Sequence, residues 1–154
     1  MATNDYVFLT RWRVRGSIGR AYQILADIDG YTRWWPQVYV RVDRLGPGPD
    51  SAGPRADLLT RGKLPYKLRW QAEVIETHPP TGFTIRATGD FDGRGIWSLM
   101  QDGEFVAITF DWRLRAEKPL LRDLSFLCKP LFHWNHRWAM ARGAEGLARE
   151  LARG

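Results

Sequence analysis

Hydrophobic and polar residues alternate along most of this chain and change to helical spacing at only two places. Tyr6, Phe8, Thr10, Trp12 and Val14 share one side of a period-two pattern, with Arg11 and Arg13 on the other, which predicts a strand over residues 6–14. Gly16-Ser17 breaks that pattern, and Ser17 is placed to cap a helix over 18–26 whose Ile18, Tyr22 and Leu25 lie three and four apart. A second short helix is predicted over 27–35, stopped by Pro36. Val38, Val40 and Val42 then alternate with Tyr39, Arg41 and Asp43 as a half-buried strand. Residues 45–54 are rich in glycine and proline and form a loop, either a plain connector or a lid at a pocket mouth.

Alternation resumes over 55–61 with weaker contrast. Tyr66, Leu68, Trp70, Ala72 and Val74 then face one way and Lys67, Arg69, Gln71 and Glu73 the other. After a turn at 78–82, Phe83, Ile85 and Ala87 mark the next strand, and Gly89, Gly93 and Gly95 are expected as hairpin glycines. A strand over 96–100 leads into a two-residue hairpin at Asp102-Gly103, and Val106, Ile108, Phe110, Trp112 and Leu114 form the last strand. Successive hairpins of this kind imply an antiparallel meander.

The tail from Pro119 carries no period-two pattern. Pro119 suits a first helical turn. Pro130 removes a backbone donor and predicts a kink or break near 128–131. Beyond it Trp134, Trp138, Ala141, Ala144, Leu147, Ala148 and Leu151 are expected on an apolar stripe, with Asn135, Arg142, Arg149 and Arg153 opposite. The fold class is α+β, in a single domain over 1–154. A curved antiparallel sheet of about seven strands wraps a long C-terminal helix, with two short helices after the first strand. A hollow is expected between sheet and helix.

Composition changes this picture in one respect. Eight tryptophans in 154 residues exceed what a core of this size needs, and Trp34 and Trp35 are adjacent. On a regular strand or helix two neighbouring indoles point apart, so one is expected in the core and the other at a cavity, a partner or solvent. The net charge of +6 comes almost wholly from arginines spread along the chain, so nucleic-acid binding is not expected as the main role. One cysteine, Cys128, excludes an internal disulfide and a cysteine-rich metal site. No apolar run approaches the roughly 20 residues of a membrane span. The first residues lack the basic and apolar regions of a signal peptide, and a reducing cytoplasm is the expected compartment.

The candidate cavity walls are aromatic: Trp34, Trp35, Trp70, Trp97, Phe110, Trp112, Phe132 and Trp138. His133 and His136, three apart on the tail helix, are candidates for polar contact with a ligand or for proton transfer. Zinc would want a third ligand, for which Asp123 is the nearest candidate in sequence and His78 lies in a distant turn; with no HExxH pattern, no metal and no cofactor are expected. Asp111, Arg113 and Arg115 alternate with Phe110 and Trp112 and are expected on the outer surface, while the directions of Asp57, Arg61 and Arg69 stay open. A phosphate loop and a serine-nucleophile elbow are both missing, and Cys128 is expected as an inert core thiol.

Read together, several segments are similar to a known family. They are Arg20-Ala21-Tyr22-Gln23-Ile24-Leu25-Ala26-Asp27, then Tyr31-Thr32-Arg33-Trp34-Trp35-Pro36, Leu64-Pro65-Tyr66 and Glu76-Thr77-His78-Pro79-Pro80. Further on come residues 89–97, Thr109-Phe110-Asp111-Trp112, and the tail from Phe132-His133-Trp134-Asn135-His136 to Leu151. The chain resembles the START / Bet v 1-like (SRPBCC) superfamily, in its polyketide cyclase/dehydrase and lipid-transport branch. The resemblance implies a helix-grip fold that holds an apolar, ring-containing small molecule such as a lipid or polyketide between sheet and helix. It supplies no shared catalytic motif, so catalytic residues are not assigned. Two alternatives accompany it: an aromatase/cyclase-type enzyme with His or Arg groups assisting proton transfer, and a lipid or quinone carrier. The carrier would touch a membrane surface through Phe126, Leu127, Leu131, Phe132 and arginines.

Overall fold

The structure, a computed structural model, describes residues 4–153 apart from the side chain of Phe126, so that expected docking residue lies outside the described side chains. Strand β1 (Asp5–Arg15) leads to helix α1 (Ile18–Ala26), a 3-10 turn (Ile28–Gly30) and the one-turn helix α2 (Tyr31–Trp34). Strands β2 (Tyr39–Leu45), β3 (Arg55–Arg61), β4 (Lys67–His78), β5 (Gly82–Gly89), β6 (Phe91–Asp102) and β7 (Phe105–Ala116) follow, then helix α3 (Pro119–Ala152). All seven strands form one antiparallel sheet in the order β1-β7-β6-β5-β4-β3-β2. The strands from β2 to β7 are thus a meander, and β1 returns to pair with β7 at the far edge. This is a helix-grip architecture.

The alternation predicted for β1 holds: Tyr6, Phe8, Trp12 and Val14 are buried, and Val7 and Leu9 lie outside. Ser17 caps α1, its Oγ accepting the Arg20 N–H at 3.3 Å. Around β2 Val38 and Val42 face the core as expected, and the pattern fails at Val40. A bulge between Tyr39 and Arg41 leaves Val40 exposed and lets Tyr39 turn inward, because an extra residue in one strand shifts the alternation by one. The β6–β7 hairpin forms around Gly103, at φ +62°, and Glu104, one residue later than expected, with Asp102 paired to Phe105.

The glycine-rich segment after β5 is not a wide turn. Asp90 alone separates β5 from β6. Its carboxylate accepts the Arg69 N–H at 2.7 Å, and its carbonyl accepts the N–H groups of Glu117 and Lys118. Gly93 and Gly95 lie inside β6. A Cβ on Gly95 would sit 2.6 Å from the Trp112 ring and 2.7 Å from that of Phe110, so its absence makes room for both rings.

Helix α3 continues through Pro130 as one helix, so the chain does not break there. Its apolar stripe also differs from expectation. Trp134, Ala141 and Ala148 are exposed, whereas Asn135 and Glu150 are buried beside Met140, Leu147 and Leu151. Counting from Trp134 follows an outward row, while the sheet-facing row begins at Leu121 and Ser125 and crosses over near Leu147.

The docking of α2 on α3 sets the relation between the short helices and the sheet. Trp34 and Trp35 are both buried, each only 3% exposed, and their rings stack at 5.3 Å and 24°. The expected divergence does not occur because Trp35 ends α2 with φ −132° and ψ 49°, off both helix and strand geometry. Two glycines of α3 receive the pair. A Cβ at Gly146 would meet the Trp34 carbonyl oxygen at 1.8 Å, and one at Gly143 would meet the Trp35 ring at 2.5 Å. Trp35 Nε1 donates to the Ala139 carbonyl at 2.9 Å, and Arg33 forms an ion pair with buried Glu150 through Nε at 3.0 Å and through Nη2. The hydrogen bond from Arg33 outweighs burial and holds the Glu150 carboxyl below its usual range, with Arg153 and Arg20 adding to the effect.

This contact makes stability sensitive to Gly146 and Glu150, and Gly19 in α1 serves as the uncrowded comparison. Gly146→Ala should destabilise by about 1–3 kcal/mol through overpacking, despite the better helix propensity of alanine. Gly19→Ala in α1, where a Cβ meets nothing within 4 Å, should stabilise by about 0.5–1 kcal/mol; urea denaturation of both variants compares them. Because the Glu150 pKa is lowered on folding, its contribution is present above the unfolded-state value and is lost as pH falls through the folded one. Melting temperature against pH should therefore decline in the acid limb more in wild type than in Glu150→Gln, with the variant less stable at neutral pH.

Candidate functional site

Between the concave face of the sheet and α3 lies a cavity of about 180 Å³. Its walls are mostly rings. On the sheet, Trp97 stacks on Phe110 at 4.2 Å and 22°, and Phe110 on Trp112 at 5.3 Å and 23°. Trp112 meets Trp70 at 5.7 Å, and Trp70 meets Phe91 at 4.9 Å. Period-two alternation on β4, β6 and β7 sends these side chains inward, and antiparallel register brings Trp97 opposite Phe110. Trp12 continues the row, 5.4 Å from Trp97 and 5.8 Å from Trp35.

Helix α3 supplies the opposite wall through Phe132, Asn135, His136, Ala139 and Met140. Of the residues the sequence singled out, Trp35, Trp70, Trp97, Phe110, Trp112, Phe132 and His136 line the cavity. Trp34, His133 and Trp138 do not. Trp34 packs against Tyr31, at 4.9 Å, and Gly146. His133 lies 4.6 Å from Phe8 and 5.8 Å from Tyr6, on the β1 side of the helix. Trp138 is half-buried under the cations of Lys63 and Arg142, at 5.6 and 5.8 Å. Asp57 and Arg69 point to the outer face of the sheet in a shallow polar groove, and Arg61 reaches the exposed rim of the cavity.

Sequence reasoning missed Tyr6, Phe8, Tyr39, Tyr66 and Asn135 as wall residues. Tyr6 and Phe8 sat on the inward side of a predicted strand, so that signal was present and unused. Asn135 gave none, because it seemed to lie among the polar residues of the helix. Its Oδ1 accepts the N–H groups of Lys63 and Leu64 at 2.6 and 3.1 Å, and Nδ2 donates to the Tyr66 hydroxyl at 3.5 Å. One buried amide thus ties the β3–β4 loop to α3 at the rim, and Gly62 leaves it space. The 46–54 loop is likewise tethered: Ser51 Oγ donates to Glu73 at 2.6 Å, and Ala52 N–H to the Val74 carbonyl at 2.8 Å.

The electrostatics of the cavity are close to neutral. His136 stacks on Phe8 at 4.0 Å and 24°, and burial, then neighbouring His133, lowers its pKa to about 3. His133 is also lowered, by burial and then by Lys129 and Arg137. Burial raises the Tyr66 phenol to about 12. These groups keep their neutral forms at physiological pH. Among the described residues no cluster of three His, Cys, Asp or Glu side chains could hold a metal, and no helix is long and apolar enough to cross a membrane.

No protein-family model matches the chain, and no curated protein sequence does. Solved structures do match over nearly its whole length. A START superfamily protein from Mycobacterium smegmatis superposes with a TM-score of 0.76 at 14% identity, covering 96% of this chain and 97% of that one. The Zhui aromatase/cyclase from Streptomyces sp. R1128 gives 0.72 at 15%, covering 97% and 94%. Truncated norcoclaurine synthase from Thalictrum flavum gives 0.67 at 11%, covering 100% and 98%. At such identities the likeness shows the fold alone: this chain shares the fold of a START superfamily protein, an aromatase/cyclase and a norcoclaurine synthase.

Proposed function

We propose that this chain binds one small, neutral, apolar molecule containing a ring, held between the sheet and α3. The observation that carries this reading is the row of contacting rings Trp97, Phe110, Trp112 and Trp70, the first three stacked, lining an internal space in place of a filled core. A well-packed interior leaves few voids larger than a water molecule. A space of about 180 Å³ among apolar rings therefore supports a ligand, and its size suits a compact one. Drug-sized ligands occupy roughly 300–1,000 Å³, and an engineered apolar cavity of about 150 Å³ takes benzene. Each ring stacked on a flat ligand adds about 0.5–1.5 kcal/mol beyond the area it buries.

The rival reading is a cyclase in which histidine moves protons in the cavity, as the aromatase/cyclase neighbours suggest. A general acid or base works best with a pKa near the working pH. His136, at about 3, and Tyr66, at about 12, are both far from neutrality. This favours holding a molecule over transforming it. The half-buried free thiol of Cys128 fits the reducing cytoplasm in which we place the chain.

A panel of one- and two-ring hydrocarbons and phenols tests the reading. At least one should raise the melting temperature and change tryptophan emission, since four indoles line the cavity within contact distance of other rings. Ala139→Leu, which fills the space from α3, should weaken that ligand at least about tenfold while cooperative melting is kept. If no member of the panel moves either signal, the binding reading fails.

A further inference from the structure

The outer side of α3 carries a row of apolar side chains turned away from the sheet. Leu120, Leu124, Leu127, Leu131 and Trp134 are exposed, Leu127 to 67%, and half-buried Trp138 extends the row. Alternating steps of four and three residues keep all six within a narrow arc of the helix surface. Phe132, expected beside Leu131 on such a face, instead lines the cavity on the other side of the helix. Single exposed leucines are ordinary on a protein surface, whereas a contiguous apolar row rimmed by polar residues marks a contact with a partner or a membrane.

The charges around the row decide between those two. Helix α3 carries three carboxylates, and each is already held by arginine. Asp123 pairs with Arg122 at 3.2 Å, Glu145 with Arg142 at 2.6 Å, and Glu150 with Arg33 and Arg153. Cations stand on both sides of the row. Asn135, one residue past Trp134, turns to one side and binds the β3–β4 loop, where Lys63 Nζ lies 5.6 Å from the Trp138 ring. Arg137, one residue before Trp138, turns to the other side, since successive helical residues are about 100° apart. Lys63 and Arg137 are exposed, and neither forms an ion pair among the described residues. The same loop follows Arg61, exposed at the cavity rim, and no carboxylate occurs between Asp57 and Glu73.

We propose that this face of α3 docks on a bilayer containing anionic phospholipid, with the leucines and Trp134 in the interface and Lys63, Arg61 and Arg137 among the headgroups. Leucine and tryptophan on one side of a helix lying in the interface plane, with basic residues at headgroup level, make a peripheral membrane contact. Each cation near an anionic surface adds attraction, and salt screens it. A second copy of this chain suits the face less well. It would bring its own Lys63 and Arg137 to these cations, while the carboxylates of its α3 are taken by its own arginines. Docking also brings the β3–β4 loop, and with it the cavity rim, towards the lipid. The contact does not depend on the cavity being occupied.

Sedimentation with phosphatidylcholine vesicles, with and without phosphatidylserine, tests this. At low salt the protein should bind the phosphatidylserine vesicles at least about tenfold more tightly, and high salt should remove most of that difference. Lys63→Gln with Arg137→Gln should weaken binding about twentyfold. Arg11→Gln with Arg94→Gln, the same loss of charge on the outer face of the sheet, should change it less than about twofold. Leu127→Gln with Leu131→Gln keeps the net charge and should weaken binding at least about tenfold. Both side chains are exposed, so the melting temperature of that variant should stay close to wild type.

No sedimentation at low salt, equal binding to the two vesicle types, or binding indifferent to the leucine pair overturns the proposal. Equal sensitivity to the Arg11 and Arg94 pair overturns it too, because attraction would then come from the net charge alone. A concentration-dependent dimer in sedimentation velocity that the leucine pair abolishes would give the face to a second copy and overturn it as well.

Discussion

The contact between α2 and α3 governs the rest of this structure. It depends on the lack of two side chains. Gly143 and Gly146 each weaken a helix interior by about 1 kcal/mol relative to alanine, and here they open a shallow bed for a pair of indoles. Trp34 fills the bed beside Gly146 with its backbone, and Trp35 lies across Gly143 with its ring. The contact is then closed by two polar links, the indole N–H to Ala139 and the Arg33–Glu150 ion pair. Glu150 is buried while Arg33 stays more than half exposed, so the solvation lost is the carboxylate's, and its hydrogen bonds to Arg33 offset that loss. The short helices are thereby held to α3, and Trp35 becomes a fixed part of the cavity wall.

The same economy of side chains appears on the sheet. Gly95 in β6 lies beneath the rings of Phe110 and Trp112 and lets them lie parallel. Rings stacked nearly parallel across neighbouring strands form a rigid apolar surface, with two torsions each to restrain. Such a wall does not collapse into a neighbouring void as leucine side chains could. The cavity persists because the residues around it are large, flat and already satisfied by one another.

Much of this was legible in the sequence. Period-two alternation located β1, β3, β4, β5 and β7 and the inward direction of Trp70, Phe110 and Trp112, because a strand with one buried face has a fixed register. Three features escaped. The bulge at Tyr39–Arg41 turns Tyr39 inward and Val40 outward while Val42 keeps its inward place, a single-residue insertion that composition does not announce. The non-helical backbone of Trp35 defeats the rule that adjacent side chains diverge. Gly93 and Gly95 looked like turn residues although they sit within β6, and only the rings and backbone across from them explain why no Cβ is tolerated. Glycines 143 and 146, unfavourable in the middle of a helix, were the available sign of close approach and stood unread.

Helix α3 also explains why its amphipathic stripe was misassigned. A surface helix with one core-facing side shows one apolar arc. This helix meets different surroundings along its length. Its first half packs Leu121 and Ser125 inward and shows Leu124, Leu127 and Leu131 outward, so apolar residues occupy both sides. Its middle turns Asn135 and His136 inward, one to hold the rim loop and the other to the cavity. Its last half receives α2 on glycines. Averaged over 34 residues these demands cancel, and no single stripe survives in the sequence. The inward polar residues and the outward leucines are therefore two sides of one fact: the helix is shaped by what it holds at each level as much as by the sheet that grips it.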